Sequence, residues 1–423
     1  MRAGSAVLIA GMSVVCLLLT AAEQGEVTYV DAVGVSLTFA EGNSESSWAT
    51  TRSVFPPSDV DCAEPAGNVA ILLDPTSTLY DAAAFAGAEE AALEFCYEIT
   101  VIESVSSTEA VDSLYELAAE GAQDLIVCVG MGYVFDLANV AEEYPSQMFA
   151  WIEPQGAIDW VEDLPNVMSI TFRANEMAAL AGALAGLVAA QGDHTVVSLA
   201  LDAMSPSAWD AEAGFRLGVS WANERSGQAI RLAYSRTDLG IQGGIAAAKR
   251  HLDEGAVGLY TAGGAFGIGA FEAICEAHEA LGTALGPPYY FGAGMNQDLL
   301  GDGRYVLASV LARVDRAVCF AVQAIDAGTF AGGATLIGIA EDAVTLSDRV
   351  NLEESLDAEN VDVDLRRTIL ESWEANRATI PDSVWGDIER FATAIRDGSI
   401  VVPTAETEAE LELIRDAYPL GPA

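Results

Sequence analysis

From Asn68 onward, apolar and polar positions alternate between two periods along the chain. Val69-Ala70-Ile71-Leu72-Leu73 is a short continuous apolar run, which predicts a buried strand. Leu79 to Phe95 carries the 3.6-residue spacing of a helix. Ile99 to Ile102 predicts the next strand, and Thr108 to Ala119 a helix capped by Ser106 or Ser107. Asp124 to Val129 is apolar throughout, as a strand covered on both faces must be. A helix through Ala138 to Glu143 and a strand over Phe149 to Ile152 complete the first run.

A second run repeats the order. Strands fall at Val167 to Phe172, Thr195 to Leu201 and Ile230 to Tyr234. Helices fall at Asn175 to Ala190, Ser207 to Asn223 and Ile241 to Glu254. Val257 to Ala277 then gives a strand, a turn with Gly263, Gly264, Gly267 and Gly269, and a helix bearing Phe271, Ile274 and Cys275 on one face. Glycines between a strand and a helix let backbone amides approach a ligand at a helix N-terminus, and they also serve plain close packing. The spacing is not G-x-G-x-x-G and no acidic residue follows at the ribose-binding distance, which speaks against a dinucleotide fold. Strands alternating with helices of this length predict an α/β protein with two doubly wound parallel-sheet lobes joined by a hinge.

The expected division is as follows. Residues 1–22, with Arg2, the apolar run Ala6 to Leu19 and small residues up to Ala22, resemble a secretory signal or an N-terminal anchor. Residues 23–66 read as a flexible acidic leader. The N-terminal lobe takes 67–173 plus 295–330 and the C-terminal lobe 174–294 plus 331–405, with crossings near Arg173, Gly294 and Gly332. Residues 406–423 read as an acidic tail.

Charge narrows the classes. Sixty-three acidic against nineteen basic side chains give a net charge of -44, and Lys249 is the sole lysine. Such a surface stays hydrated in concentrated salt, where self-repulsion is screened, and suggests a halophilic source. It excludes nucleic acid as partner, because that role needs a basic face. Beyond Cys16, the five cysteines Cys62, Cys96, Cys128, Cys275 and Cys319 form no C-x-x-C pair and read as buried free thiols. His194, His251 and His278 make no metal spacing, so neither a metal nor a cofactor is expected.

Asp124 to Tyr144, followed by Pro145 and Phe149-Ala150-Trp151-Ile152-Glu153, resembles the basic membrane protein family of substrate-binding proteins. Further blocks agree in order: Ile170-Thr171-Phe172-Arg173 with Glu176, Glu212-Ala213-Gly214-Phe215, Thr261-Ala262-Gly263-Gly264, Leu307-Ala308-Ser309, and Asp397 to Pro403. The resemblance covers about Asn68 to Pro403. It implies a type I periplasmic-binding-protein fold, export to the periplasm or cell surface, and delivery of a small ligand, often a purine nucleoside, to the permease subunits of an ABC importer. Membrane contact would come only through the N-terminal segment.

The resemblance also implies site residues. Tyr80 falls at a base-stacking aromatic, Asp81 at a polar Asn, Ser77 at an Asp and Glu153 at a strand-end acid. Arg236 or Tyr234 lies where a second aromatic belongs. Gly294 stands at a ribose-binding Asp and Ala312 at a Lys, so the strong anchors for a diol are missing. Gly263 and Gly264 would offer amides. Asn296 and Asp298 either contact ligand or cap a helix, and Met131 and Trp209 would line the cleft. A ligand-sensing receptor of the same fold is the alternative reading. An α/β enzyme is a third, without nucleophile elbow, metal ligands or a strand-end histidine to support it.

Overall fold

The computed structural model describes residues 26–30, 36–40, 51–56, 62, 64–76, 80–152, 164–192, 194–203, 207–262 and 264–421. Near the start, β1 (Glu26–Val30) and β2 (Ser36–Ala40) pair antiparallel. The first run is β3 (Thr51–Phe55), β4 (Gly67–Leu73), α1 (Asp81–Phe95), β5 (Tyr97–Glu103), α2 (Ser107–Glu120), β6 (Leu125–Val129), α3 (Asp136–Glu143), β7 (Phe149–Ile152) and β8 (Val167–Phe172). The second is α4 (Ala174–Gln191), β9 (Val196–Asp202), α5 (Ala208–Ser226), β10 (Arg231–Thr237), α6 (Gly240–Asp253), β11 (Gly258–Ala262), α7 (Gly264–Leu281), β12 (Tyr289–Gly294) and β13 (Val306–Ala312). There follow α8 (Val314–Asp326), β14 (Gly333–Ile337), β15 (Val344–Leu346), α9 (Arg349–Ala358), α10 (Val363–Arg377), α11 (Asp382–Arg396) and α12 (Glu408–Ala417).

Two sheets result. One has the order β14-β8-β7-β6-β4-β5-β3 and the other β10-β9-β11-β12-β13-β15. Pairing is parallel except where β3 meets β5 and β15 meets β13. The interior strands are buried along their length, as helices on both faces require. Counting from β4 and from β9, each sheet runs in the doubly wound order 2-1-3-4-5. Its switch points lie between β4 and β6 and between β9 and β11, where crevices open at the strand ends.

The chain passes between the sheets at Arg173, at Arg313 and over Gly338–Ala343. At two of these crossings, Arg173 N donates to Ile337 O and Arg313 N to Ala343 O, each at 2.9 Å. The expected division therefore needs correcting. β13 belongs to the second sheet and β14 to the first, the reverse of the expected assignment. Gly294 and Gly332 only mark the ends of strands, whereas the crossings follow the pairing of β13 with β12 and of β14 with β8.

The leader and tail readings also change. The leader contains β1 and β2, and β3, which adds to the first sheet's edge against β5. Cys62 and Cys96 form a disulfide, so these two are not free thiols, while Cys128 and Cys319 are free and buried. The tail contains α12, opened by a capping box between Thr407 and Glu410 and seated through buried Leu411 and Ile414. The signal or anchor reading of 1–22 falls outside the described residues.

Small residues set the helix packing. α4 and α5 cross so closely that a Cβ on Gly214 would lie 1.8 Å from Asn175 O. α1 presents Ala84, Gly87, Ala88 and Ala91 inward, and a Cβ on Gly87 would lie 2.7 Å from Asp315 O on α8. That contact sets the middle of α1 against the first turn of α8, next to the Arg313 crossing.

Candidate functional site

In the first lobe, Asp74 ties the two loops of the switch point together. Its carboxylate accepts from Gly132 N at 2.6 Å, from Thr76 N at 2.8 Å and from Thr76 Oγ1 at 2.6 Å. Tyr133 Oη donates to Leu73 O at 2.8 Å and Trp151 Nε1 to Gly130 O at 2.8 Å, so the loop after β6 is pinned from beneath. Tyr80 stands at the entrance of α1, and Asp81 follows it.

Burial, with Glu103 and Asp74 adding repulsion, pushes the Asp81 carboxyl up to about 7. An unfolded Asp ionises near 3.8, so the unfolded chain sheds its proton first as pH rises. The folded state is then penalised increasingly between about pH 4 and 7. We expect Asp81→Asn to match the wild type near pH 4 and to melt higher than it above pH 7. A constant difference in melting temperature from pH 4 to 8 would exclude this cause.

In the second lobe, the loop after β12 turns at Gly294, whose φ of 83° suits glycine. Asp298 then anchors the loop. It is fully buried and accepts from Ser309 Oγ at 2.6 Å, Ser347 Oγ at 2.7 Å and Trp373 Nε1 at 2.8 Å. Ser309 Oγ also accepts from Gln297 N at 2.9 Å, which lays the loop back on β13. A Cβ on Gly292 would meet Ser309 Oγ at 2.4 Å, so this close approach needs a glycine. Burial pushes the Asp298 carboxyl up, against the pull of its hydrogen bonds and of Arg377.

Between these elements lies a cavity of about 600 Å³. Tyr80, Ala82, Ala83 and Ala86 face it from the first lobe. Gly294, Asn296, Gln297, Leu311 and Ala312 face it from the second, and Asn351, Glu354 and Ser355 of α9 form a further wall. Arg313 and Asp315 line it where the chain crosses between the lobes. Arg313 gives Nε (2.8 Å) and Nη2 (2.5 Å) to Asp315. The result is an aromatic and small-residue wall facing a polar one.

Of the expected contact residues that are described, Tyr80 and Asn296 line this cavity, and the others do not. Asp298 is the buried anchor behind the loop, because three donors enclose its carboxylate. Arg236 lies 5.0 Å over the Trp209 ring and 3.6 Å from Glu408, so α12 occupies both side chains and the sandwich of Tyr80 with Arg236 does not form here. Met131 is exposed on the loop after β6, and Asp81 faces Asp74 and Glu103. Gly264 opens α7 with free space where a Cβ would stand. Ser77, Glu153 and Gly263 lie outside the described residues. Sequence reasoning missed Gln297, Arg313, Asp315 and the α9 wall. A polar run just past a strand, Asn296-Gln297, was the available signal for Gln297, and nothing local marked α9.

Two lobes of one topology, joined by three crossings and enclosing a cavity between them, define a type I periplasmic-binding-protein fold. The model of the PnrA-like ABC transporter substrate-binding protein family matches residues 79–375, and the chain belongs to that family. It is 29% identical over 340 residues to an uncharacterized lipoprotein of Pyrococcus horikoshii, covering 78% of this chain and 82% of that protein. It is 26% identical over 258 residues to basic membrane protein D of Borreliella burgdorferi, covering 60% of this chain and 71% of that one. The solved structure of an ABC transporter system solute-binding protein from Aeropyrum pernix superposes with a TM-score of 0.60 at 25% identity, covering 83% of this chain and 97% of that one. Among the described residues no helix is long and apolar enough to cross a membrane.

Proposed function

We propose that this protein captures a planar nitrogenous ligand, a nucleobase or modified nucleoside, between its lobes outside the cytoplasm and delivers it to an ABC permease. The observation that carries the reading is the cavity of about 600 Å³ that joins Tyr80 of one lobe to the Asn296 loop of the other. Its size suits a small molecule. Tyr80 offers a ring for stacking. Glu153 and Ser77 would add polar contacts, and Gly263 a backbone amide.

Free bases are favoured over ordinary ribosides. Gly294 and Ala312 stand where the family resemblance places a carboxylate and a lysine. A side chain at Gly294 would be strained by its φ of 83°. Arg313 does not replace the lysine, because Asp315 engages its guanidinium. Each lost charged anchor forgoes about 1.5–3 kcal/mol.

The Cys62–Cys96 disulfide supports an oxidising, extracytoplasmic setting. So do the relatives named as lipoproteins, and residues 1–22 would direct export. The carboxylate excess supports a salt-rich habitat, checked by a higher melting temperature in molar than in millimolar salt.

The test is titration calorimetry in molar salt with adenine, guanine, adenosine and guanosine, followed by small-angle scattering with the tightest binder. Bases should bind more tightly than ribosides, and the radius of gyration should fall on saturation as the lobes close. Tighter riboside binding would restore the plain nucleoside assignment. An unchanged radius with bound ligand would argue against capture by closure.

A further inference from the structure

Gln297 lines the cavity yet is only 7% exposed. Its amide is oriented by the backbone, since Nε2 donates to Ala293 O at 3.3 Å. That leaves Oε1 as an acceptor to which no described residue donates. Its neighbour Asn296 is held the opposite way round. Asn296 Oδ1 accepts from Asp298 N at 2.9 Å, and its Nδ2 is buried without a partner. Asn296 Nδ2 is the buried, costly member of the pair, and Gln297 Oε1 is the acceptor left open to what enters the cavity.

The charge around the pair restricts what that is. The lining carries Asp315, Glu354, Asp357 and Glu359 against Arg313, four carboxylates to one guanidinium or a net -3 (1 - 4). Arg313 is itself committed to Asp315. Glu354, Asp357 and Glu359 are exposed and Asp357 pairs with Arg366, so an anionic group entering here would meet a repulsion that salt weakens.

We propose that Gln297 is a specificity-determining residue of the cavity: its Oε1 accepts a hydrogen bond from an N–H or O–H of an uncharged or cationic ligand, while the acid-rich lining turns away ligands that carry a phosphate. This rests on the base-type reading of the same cavity and adds which atom reads the ligand and which charge class is refused.

The test titrates adenine, guanine, adenosine, guanosine and the two 5′-monophosphates into wild type, Gln297→Met and Gln297→Glu in molar salt. The wild type should bind at least one base or nucleoside and bind its monophosphate more weakly, by a factor that grows when the titration is repeated at lower salt, because the exposed carboxylates of the lining are screened at high salt. Gln297→Met, close in shape but without the acceptor, should bind about tenfold more weakly than wild type. Its melting temperature without ligand should fall only slightly, because the one bond it loses is the long one from Nε2 to Ala293 O at 3.3 Å. Gln297→Glu keeps an acceptor oxygen but loses the Nε2 bond to Ala293 O, so it should retain binding with a somewhat lower melting temperature, and it carries the test if the Met variant fails to fold. Undiminished binding by Gln297→Met, lost binding by a well-folded Gln297→Glu, or monophosphates bound as tightly as their nucleosides at the lower salt would overturn this inference alone. Failure of the wild type to bind any of the six would overturn the base-type reading, and this inference with it.

Discussion

Asp298→Ala should destabilise the protein by about 3 kcal/mol, because it strips one acceptor from the donors of Ser309, Ser347 and Trp373. Each donor left buried and unpaired costs about 1–3 kcal/mol, partly offset by no longer burying a carboxylate. Asp298→Asn keeps one acceptor oxygen and should lose about half as much. The effect should reach the cavity as well, since Ser309 Oγ is the acceptor that holds Gln297 N. Ligand affinity in the Asn variant should therefore fall more than its modest loss of stability suggests. Denaturant unfolding of both variants, alongside ligand titration of the Asn form, measures the two consequences separately. An alanine variant within 0.5 kcal/mol of wild type, an order-of-magnitude bound for surface changes, would mean that the network is not the anchor described.

Glu212→Ala should cost a comparable amount, about 3–5 kcal/mol, by leaving two guanidinium groups without their shared partner. Glu212 is fully buried on α5 and accepts from Arg216 Nε at 2.7 Å and from Arg415 Nε and Nη2 at 2.8 and 2.7 Å. Burial alone would push its carboxyl up, yet bonds from Arg415 and the nearby Arg216 hold it below the usual range. Its contribution is therefore present above the ordinary glutamate value of 4.5 and fades as pH falls below it. Arg415 lies on α12, so the change should also free that helix from α5. Salt separates this pair from the surface ones. Arg415 also pairs with exposed Glu408 and Glu412, contacts that salt screens, whereas the Glu212 gap should persist from millimolar to molar salt. Hydrogen exchange over 408–417 and unfolding at two salt levels check it. Unchanged protection of α12 in the variant would show that the helix does not depend on Glu212.

Much of the architecture was legible in the chain. Continuous apolar runs such as Leu125–Val129 have one stable use among helices, an interior parallel strand, and the intervening 3.6-residue patterns supply the helices that cover it. The capping signal before α2 resolves to Ser106, which accepts from Glu109 N at 3.3 Å. Tyr80, singled out through the family resemblance, and Asn296, singled out by its place just past a strand, both line the cavity. Asn296 and Asp298, however, look alike in sequence. They are two residues apart and similarly polar, and one faces the cavity while the other is enclosed by Trp373, 75 residues further along.

The same distance problem explains the other misses. Cys62 and Cys96 look like members of an odd set of thiols until α1 and the segment before β4 are folded side by side. Arg236 and Trp209 look like cleft residues until α12 covers them. The sequence by itself determined the two sheets, their helices and the family, because periodicity and ordered blocks record what each element does locally. Only the tertiary structure decided which strand crosses between lobes, which carboxylate is an anchor and which amide lines the cavity. Those outcomes depend on which remote side chains take up each polar group, and no local spacing carries that information.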